Sequence, residues 1–388
     1  MALKIVHVAL NGVTGRMGYR QHLVRSLLAI REEGGITLDD GTVLCPEPIL
    51  VGRSEERLRA IAERHGLSRW TTSLDEVLGD PGVDVYFDTQ VTSAREDAVA
   101  RAIAAGKNVY TEKPAAGSAE AAFALAEAAK VAGITHGVVQ DKLFLPGMIK
   151  LRRLIREGFF GRVLSVRLEF GYWVFEGDGI PAQRPSWNYR AEDGGGIVLD
   201  MFPHWHYLLE DLFGPIGAVY ARHATHLPRR WDEAGEPYDV TADDAAYAVL
   251  EFAGGAIASV NSSWAVRVNR RELLELQVDG THGSAVAGLR NCAVQHKVST
   301  PMPVWNPDLP DPLDYQSMWT DVPDNAVFDN GFKAQWELFL RAAALGEPFR
   351  WDLFAGARGV QLAELAMRSS DEGRRIEIPG PASTAPGA

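Results

Sequence analysis

Cysteine is scarce in this chain of 388 residues, which contains Cys45 and Cys292 and no other. The two lie far apart and form no CxxC pair, so a disulfide framework and a zinc ribbon are both excluded. The opening residues, MALKIVHVAL, run directly into a strand-like pattern without the charged region and cleavage site of a signal peptide. Together these absences predict a cytoplasmic protein.

Long apolar runs and an excess of positive charge are also lacking. No run approaches the roughly 18 apolar residues of a membrane-spanning helix, so we expect no membrane partner. The chain has 39 Lys and Arg against 51 Asp and Glu, a formal net charge of −12. Because nucleic-acid surfaces neutralise phosphates with Lys and Arg, we expect no nucleic-acid partner. An anionic cofactor stays compatible with this balance, because backbone dipoles and one or two basic residues act locally.

The order of apolar runs and helical patterns divides the chain into two domains, as its length suggests. Over residues 3–140 short apolar runs alternate with helical stretches, which is typical of a parallel sheet with helices on both faces. After residue 160 a period-two pattern predicts an antiparallel sheet, and helical patterns follow over 331–345 and 352–370. We therefore predict a doubly wound α/β domain, an α+β domain with a mixed, mainly antiparallel open sheet, and a flexible tail, over residues 1–145, 146–375 and 376–388.

Three glycines, Gly12, Gly15 and Gly18, follow the first apolar run at GxxGxxG spacing and open a helical stretch. A tight strand-to-helix turn with bare backbone lets a pyrophosphate approach the helix N-terminus. The position after the first of several alternating strands favours a dinucleotide site over a glycine-rich turn without a ligand. The first domain is therefore predicted to be a Rossmann domain whose turn contacts the cofactor through Gly12, Val13, Thr14, Gly15, Arg16 and Met17.

The end of the second apolar run, PILV at 48–51, bears on the choice of cofactor. NAD sites usually carry Asp or Glu there for the ribose hydroxyl, whereas NADP sites carry Arg and small polar residues. This chain has Gly52-Arg53-Ser54. A guanidinium can bind a 2′-phosphate through two hydrogen bonds, and a solvated arginine at a helix start is the alternative. NAD and NADP both stay open, and Arg53 with Ser54 favours NADP.

The segment GKNVYTEKPAA, residues 106–116, ends a predicted strand in Glu112-Lys113-Pro114. At the carboxyl end of a parallel strand such side chains point into the crevice where ligands bind. Proline removes a backbone donor and can hold a cis bond, which would turn the Lys113 ammonium inward. We therefore expect Glu112 and Lys113 to contact the cofactor.

The segment GGGIVLDMFPHWHY, residues 194–207, combines three glycines with an aspartate and two histidines. Asp200 and His204 are four residues apart, so on a helix they share one face. An aspartate beside an imidazole fixes its tautomer and raises its basicity, which suits proton removal from a hydroxyl. His206 lies about 200° further round the helix and is expected to pack. The alternatives are an Asp200 that caps the helix with an ordinary half-buried His204, and an HxH metal pair; the pair lacks a third ligand, so we predict no metal.

With these motifs the chain resembles the Gfo/Idh/MocA oxidoreductases, named for glucose–fructose oxidoreductase and inositol dehydrogenase. The resemblance covers nearly the whole chain and includes the glycine turn, the EKPAA segment and the motif GGG-x-x-x-D-x-x-x-H. It implies that Lys113, Asp200 and His204 form the catalytic set. In such a set the Lys113 charge would stabilise the developing alkoxide.

Two departures from the family pattern accompany this resemblance. Phe202 stands where the family often has glycine, and DTQVTSARED replaces an ATP segment with a later histidine, near whose position Arg95 stands. These changes leave fold and reaction class alone and concern the nicotinamide side of the site. Thr89 and Gln90 are the residues we expect to contact the cofactor there.

Aromatic residues flank the GGG motif and bear on the substrate. Flat apolar rings beside polar groups suit the faces and hydroxyl edges of pyranose rings, although most of these rings are expected in the core. The resemblance implies a sugar, cyclitol or glycoside, with oxidation of a secondary hydroxyl or reduction of the matching ketone. We expect the substrate to contact Lys113, Trp173, Trp187, Asp200 and His204.

The sequence leaves two alternative functions open and also bears on the oligomeric state. GVTGRMG also resembles the opening of dihydrodipicolinate reductases, which are shorter and lack the EKP and GGG motifs. A dinucleotide-binding sensor without turnover is the second alternative, against which the Lys–Asp–His set argues. The one-faced patterning of AAYAVLEF and AIASVNSSW, with the resemblance, predicts a homo-oligomer, dimer or tetramer, through the second sheet.

Overall fold

The structure is a computed structural model, which describes residues 2–302, 306, 308–310 and 313–380. The chain divides into two compact units, Met1–Phe144 with Asp329–Gln361 and Leu145–Phe328 with Leu362–Ala388. The part of the predicted flexible tail over 381–388 lies outside the described residues.

Strands and helices alternate in the first third of the chain, and strands dominate the middle. The strands are β1 (Leu3–Asn11), β2 (Ile36–Thr37), β3 (Val43–Val51), β4 (Trp70–Thr71), β5 (Val85–Asp88), β6 (Asn108–Thr111), β7 (His136–Val138), β8 (Val163–Phe170), β9 (Ile216–Ala224), β10 (Arg229–Trp231), β11 (Pro237–Asp239), β12 (Ala245–Phe252), β13 (Ile257–Ser263), β14 (Leu274–Gly280), β15 (Gly283–Gly288), β16 (Cys292–His296), β17 (Thr320–Asp321) and β18 (Ile376–Glu377). The longer helices are α1 (Gly18–Leu28, a π-helix continued as an α-helix over Ala29–Glu32), α2 (Glu55–His65), α3 (Leu74–Gly79), α4 (Thr92–Ala104), α5 (Ala119–Ala132), α6 (Pro146–Arg156), α7 (Ile197–Phe213), α8 (Gly331–Leu345) and α9 (Leu353–Glu372). Short 3-10 helices span Asp141–Phe144, Trp173–Phe175, Ser186–Tyr189, Ala191–Asp193, Lys297–Ser299 and Gln316–Met318.

The first unit contains a seven-stranded sheet in the spatial order β2-β3-β1-β5-β6-β7, with β4 added beside β3. All its neighbouring strands are parallel except β2, which is antiparallel to β3. Buried apolar side chains cover both faces, with Leu23 and Leu27 of α1 on one and Val99 of α4 with Ala126 of α5 on the other. The predicted doubly wound Rossmann fold is therefore confirmed.

Residues 329–361 belong to a different domain from the one predicted. Position in the chain suggests the second domain, but the structure places them in the first unit. The apolar face of α8 packs Trp336, Phe339 and Leu340 into the same buried cluster as Val8 of β1. The helix therefore completes one layer over the first sheet.

The second unit contains a nine-stranded sheet in the order β17-β16-β15-β14-β8-β13-β12-β9-β18. Its strand pairs are antiparallel except β8 with β13, which confirms the mixed, mainly antiparallel prediction. Helix α7 packs on β9, β12 and β13 and buries Trp205 and Leu208. Ile376–Glu377 pairs with β9, so the predicted flexible tail is wrong for these residues, because a backbone ladder holds them at the sheet edge. Among the described residues, none of the helices combines the length and apolar character needed to cross a membrane.

Candidate active site

The carboxyl ends of four parallel strands meet at one edge of the first sheet. In register, Asn11 at the end of β1 pairs with Val51 of β3 and Asp88 of β5, and Asp88 pairs with Thr111 of β6. The ladder continues one residue further, since the Thr89 N–H donates to the Asn11 carbonyl at 3.0 Å. The edge therefore brings together the residues that follow these strands, namely Gly12–Met17, Gly52–Ser54, Thr89–Gln90 and Glu112–Lys113.

The glycine turn needs its glycines for two different reasons. Gly12 has φ +84°, and a Cβ there would lie 2.9 Å from the Thr89 backbone. A Cβ at Gly18 would lie 2.7 Å from the Gly12 carbonyl oxygen, so both positions are closed by the protein itself. At Gly15 the nearest atom to a Cβ would be that same oxygen at 3.3 Å, and the remaining side is open. A bare backbone before α1 fits a dinucleotide pyrophosphate. Val13 is fully buried and packs in the core, so its contact with the cofactor stays a prediction.

The end of β3 carries an exposed arginine beside this turn. A Cβ at Gly52 would lie 3.6 Å from Thr14 Cγ2, which places the two segments side by side. Ser54 caps α2, its hydroxyl accepting the Arg57 N–H at 3.4 Å. The Arg53 guanidinium is exposed and makes no hydrogen bond or ion pair with any described residue. Arg53 is therefore available to an anionic ligand, whereas Ser54 also has a structural task.

A buried ion pair lies in the segment after β5 that departs from the family pattern. Asp88 is fully buried and accepts hydrogen bonds from the Tyr86 hydroxyl at 2.7 Å, Gln90 Nε2 at 2.8 Å and Arg95 Nε at 3.2 Å. Arg95 also donates to the Gln90 carbonyl at 2.7 Å and to the Pro114 carbonyl. Arg95 therefore ties the end of β5 to the EKP segment, a role that the sequence did not reveal.

In the EKP segment the glutamate contacts the backbone of the lysine that follows it. The Lys113–Pro114 bond is cis, as the sequence suggested. Glu112 Oε2 accepts the Lys113 backbone N–H at 3.0 Å, and Glu112 Oε1 lies 2.9 Å from His22 Nε2. Burial alone would raise the pKa of Glu112, but its hydrogen bond with His22 and the charges of Lys113 and Arg95 hold that pKa below its usual value. The Glu112 carboxylate thus contacts the backbone of Lys113.

In the second unit two of the three glycines, Gly195 and Gly196, allow close approach at the start of α7. A Cβ at Gly195 would lie 2.5 Å from the Asn188 carbonyl oxygen. Gly196 has φ +117°, and a Cβ there would lie 2.6 Å from Asp243 Oδ1. Asp243 Oδ2 accepts the Val198 N–H at 2.9 Å and so caps α7. Burial raises the pKa of Asp243 despite that hydrogen bond. Because Asp243 takes the capping position, the capping alternative for Asp200 loses its support.

Asp200 instead pairs with an arginine that the sequence did not single out. Arg184 Nη1 donates to Asp200 Oδ2 at 2.5 Å and to Asn188 Oδ1 at 3.2 Å. The Arg184 guanidinium also lies 4.5 Å from the centre of the Trp264 ring. The guanidinium therefore places a positive charge against the Asp200 carboxylate. Arg184 stands in an irregular loop, where no periodic pattern marks it.

The two histidines of α7 have different partners. His204 is buried, with Nδ1 2.7 Å from the Tyr207 hydroxyl. His206 is also buried, and its Nε2 lies 3.4 Å from Glu210 Oε2. Orientation of His204 by Asp200 stays a prediction. Tyr207 is a partner that was not predicted from the sequence, although it stands at i, i+3 spacing from His204.

The aromatic residues near the motif separate into two groups. Trp173 and Trp187, the predicted substrate contacts, are 46% and 48% exposed. Tyr189, Trp205 and Trp264 are buried in the core, as most of these rings were expected to be. The exposed pair is therefore available to a ligand of the second unit.

A Rossmann sheet followed by a unit that carries an aspartate and a histidine on one helix is the arrangement expected of a nicotinamide-dependent oxidoreductase. Residues 40–139 match the family model described as oxidoreductase family, NAD-binding Rossmann fold, and residues 148–286 match the GFO/IDH/MocA C-terminal domain. The chain belongs to the Gfo/Idh/MocA family, as the resemblance predicted.

Individual relatives narrow the class of function. The chain is 59% identical over 379 residues to D-xylose dehydrogenase of Paenarthrobacter nicotinovorans, covering 97% of this chain and 98% of that protein. It is 30% identical to 1,5-anhydro-D-fructose reductase of Ensifer adhaerens, covering 65% and 70%. Levoglucosan dehydrogenase in complex with NADH and levoglucosan shares the fold, with a TM-score of 0.79, 21% identity and coverage of 97% and 100%. The predicted class, an NAD(P)-dependent sugar dehydrogenase, is confirmed over the reductase and sensor alternatives.

Proposed function

We propose that the protein oxidises D-xylose, with removal of a hydride and a proton from one CH–OH group to give the carbonyl product. The 59% identity to a D-xylose dehydrogenase over 97% of the chain carries this proposal, because it extends through both units. The exposed Trp173 and Trp187 support a substrate with flat apolar faces and hydroxyl edges.

A panel of sugars tests the substrate proposal. Reduction of NAD and NADP by D-xylose, other pentoses, glucose and levoglucosan is followed by nicotinamide absorbance. We expect the highest kcat/KM with D-xylose. Turnover of levoglucosan or glucose with D-xylose inert would refute the substrate while retaining the reaction class.

For the chemistry we propose that Lys113, Asp200 and His204 act in the same reaction. When bound, the nicotinamide ring supplies the hydride-accepting chemistry. The Lys113 ammonium stabilises the developing alkoxide. His204 takes the hydroxyl proton through its imidazole ring, whose Nδ1 lies 2.7 Å from the Tyr207 hydroxyl. Asp200, which pairs with Arg184, shares one helix face with His204 and favours its imidazolium.

We propose that the cofactor is NADP in preference to NAD. Two features support this preference: the exposed Arg53 guanidinium has no partner among the described residues, and positions 52–54 contain no carboxylate to repel a 2′-phosphate. The turn residues Gly12–Met17 would hold the pyrophosphate, and Thr89, Gln90, Glu112 and Lys113 would line the nicotinamide side.

We also propose a homo-oligomer, dimer or tetramer, formed through the outer face of the second sheet. Four large apolar side chains share that face: Tyr220 (41% exposed), Tyr247 (40%), Val249 (41%) and Ile257 (51%). Val249 and Tyr220 are direct cross-strand neighbours. Such a row is typical of a surface that another subunit covers.

A cytoplasmic location stays a prediction; Cys45 and Cys292 are free thiols.

A further inference from the structure

A series of hydrogen bonds between buried side chains connects α8 to the EKP segment within the first unit. Trp336 Nε1–H donates to His22 Nδ1 at 3.0 Å. His22 Nε2 lies 2.9 Å from Glu112 Oε1, and Glu112 Oε2 accepts the Lys113 backbone N–H at 3.0 Å. Trp336 and His22 are fully buried and Glu112 is 8% exposed. This series of hydrogen bonds therefore ends at the backbone of the proposed catalytic lysine.

The contacts determine the tautomer of His22. An indole N–H is only a donor, so His22 Nδ1 must present its lone pair to Trp336. The hydrogen of the neutral ring is then on Nε2, where it donates to Glu112. A buried carboxylate needs such donors, because burial without them disfavours its charged form. Glu112 thus receives one hydrogen bond from His22 and one from the Lys113 backbone.

Packing fixes the orientation of the His22 ring. Its centre lies 4.3 Å from that of Phe87 and 5.2 Å from that of Phe332, which meets it edge-on. Trp336 packs against Phe87 as well, with ring centres 4.9 Å apart. Rotation of the imidazole would break both of its hydrogen bonds inside this aromatic cluster. The arrangement is therefore rigid on the side from which Lys113 is held.

We propose that His22 is a positioning residue for Lys113, that it acts by holding the Glu112 carboxylate on the Lys113 backbone N–H, and that Trp336 fixes the tautomer required. This inference rests on the proposed catalytic role of Lys113. It separates His22 from an ordinary core histidine, whose replacement would change stability without changing turnover of the folded enzyme.

A matched pair of variants tests the proposal. His22→Gln keeps a side-chain N–H donor and a carbonyl acceptor, whereas His22→Met has a similar length and no donor. In the folded enzymes we expect kcat for D-xylose oxidation to fall about tenfold to a hundredfold in His22→Met, because displaced catalytic groups lose rate on that scale. In His22→Gln, kcat should stay within about threefold of the wild-type value. A tenfold loss would correspond to about 1.4 kcal/mol. Cofactor Kd, from fluorescence, should change little in both. Equal kcat in His22→Met and wild type, or an equal loss in both variants, would overturn the proposal.

A second variant covers the case in which His22→Met does not fold. Trp336→Phe keeps most of the ring volume and removes the N–H that fixes the tautomer. We expect Trp336→Phe to lower kcat when His22 is present. In an enzyme that already carries His22→Gln, adding Trp336→Phe should not lower kcat further. Unchanged kcat in Trp336→Phe would contradict the tautomer argument. Lys113→Met in the same assay separates the two claims: if it retains turnover, the proposed role of Lys113 fails, and if it alone is inactive, only the His22 proposal fails.

Discussion

At the scale of single residues, His204 and His206 stand two positions apart and we assign them different tasks. His204→Ala should lower kcat by about 10²–10⁴, the usual range for general acid–base catalysis. Cofactor affinity should barely change, because the residues proposed to bind the dinucleotide belong to the first unit. His206→Ala is the matched control and should stay within a few-fold of wild type, since His206 contacts Glu210 on its own helix.

Turnover of the two variants in one assay, with cofactor binding followed by fluorescence, decides between the histidines. A large loss from His206→Ala together with a mild loss from His204→Ala would mean that His206 is the proton acceptor.

The proposed preference for NADP depends on Arg53. Arg53→Asp should raise KM for NADP far more than KM for NAD, because it replaces a phosphate-binding cation with an anion. Arg57→Asp, one helical turn further on, serves as a control for net charge, since both residues are exposed and basic. A wild type that already prefers NAD by tenfold or more, about 1.4 kcal/mol, would contradict the proposal.

At the scale of elements, Arg95 on α4 joins β5 to the EKP segment. Arg95→Met should lower the free energy of unfolding by about 3 kcal/mol, because it leaves the fully buried Asp88 without its cation. Arg101→Met on the same helix is the control. Arg101 pairs at the surface with Asp75 and Asp97, and its loss should cost less than about 1 kcal/mol.

Urea unfolding of both variants measures the difference. Equal unfolding free energies for Arg95→Met and Arg101→Met would show that the buried pair does not join these elements in the way described.

Local pattern predicted the elements better than their partners. The helices over 331–345 and 352–370 were visible as periodic stretches, and the structure has them as α8 and α9. Periodicity shows that α8 buries one face, but not which sheet that face covers. Strand β3 begins at Val43, earlier than the apolar run predicted at 48–51. The first half of the strand was not predicted, because Pro46 and Pro48 interrupt the strand pattern in the sequence. Both prolines lie where β3 pairs with β1 alone among the described strands, between its β2 and β4 pairings.

The same distinction holds for the site. The glycine turn, the EKP segment and the GGG motif each keep a fixed local spacing, so the sequence identified them. Arg184, Arg95 and His22 reach their partners across 16, 7 and 90 residues, and no local period marks such contacts. Glu112 was expected to contact the cofactor, and its contacts with His22 and the Lys113 backbone depend on the fold.

At the scale of the whole molecule, the outer face of the second sheet predicts association. The wild type should sediment as a dimer or tetramer at micromolar concentration. Val249→Arg should shift the population to smaller species, because a charge replaces the centre of the apolar row. Val131→Arg, at an exposed position of α5 in the first unit, should leave the mass unchanged. A wild type that sediments as a monomer would contradict the oligomer proposal.

The most direct test of the account is reduction of nicotinamide cofactor by D-xylose in wild type and Lys113→Met, with sugar and cofactor binding measured on the same samples. The methionine keeps the aliphatic stem of Lys113 and removes its charge. We predict rapid reduction by the wild type and a loss of about 10²-fold or more in the variant, which should still fold and bind cofactor. No reduction by the wild type with either NAD or NADP, or undiminished turnover in Lys113→Met, would contradict the account.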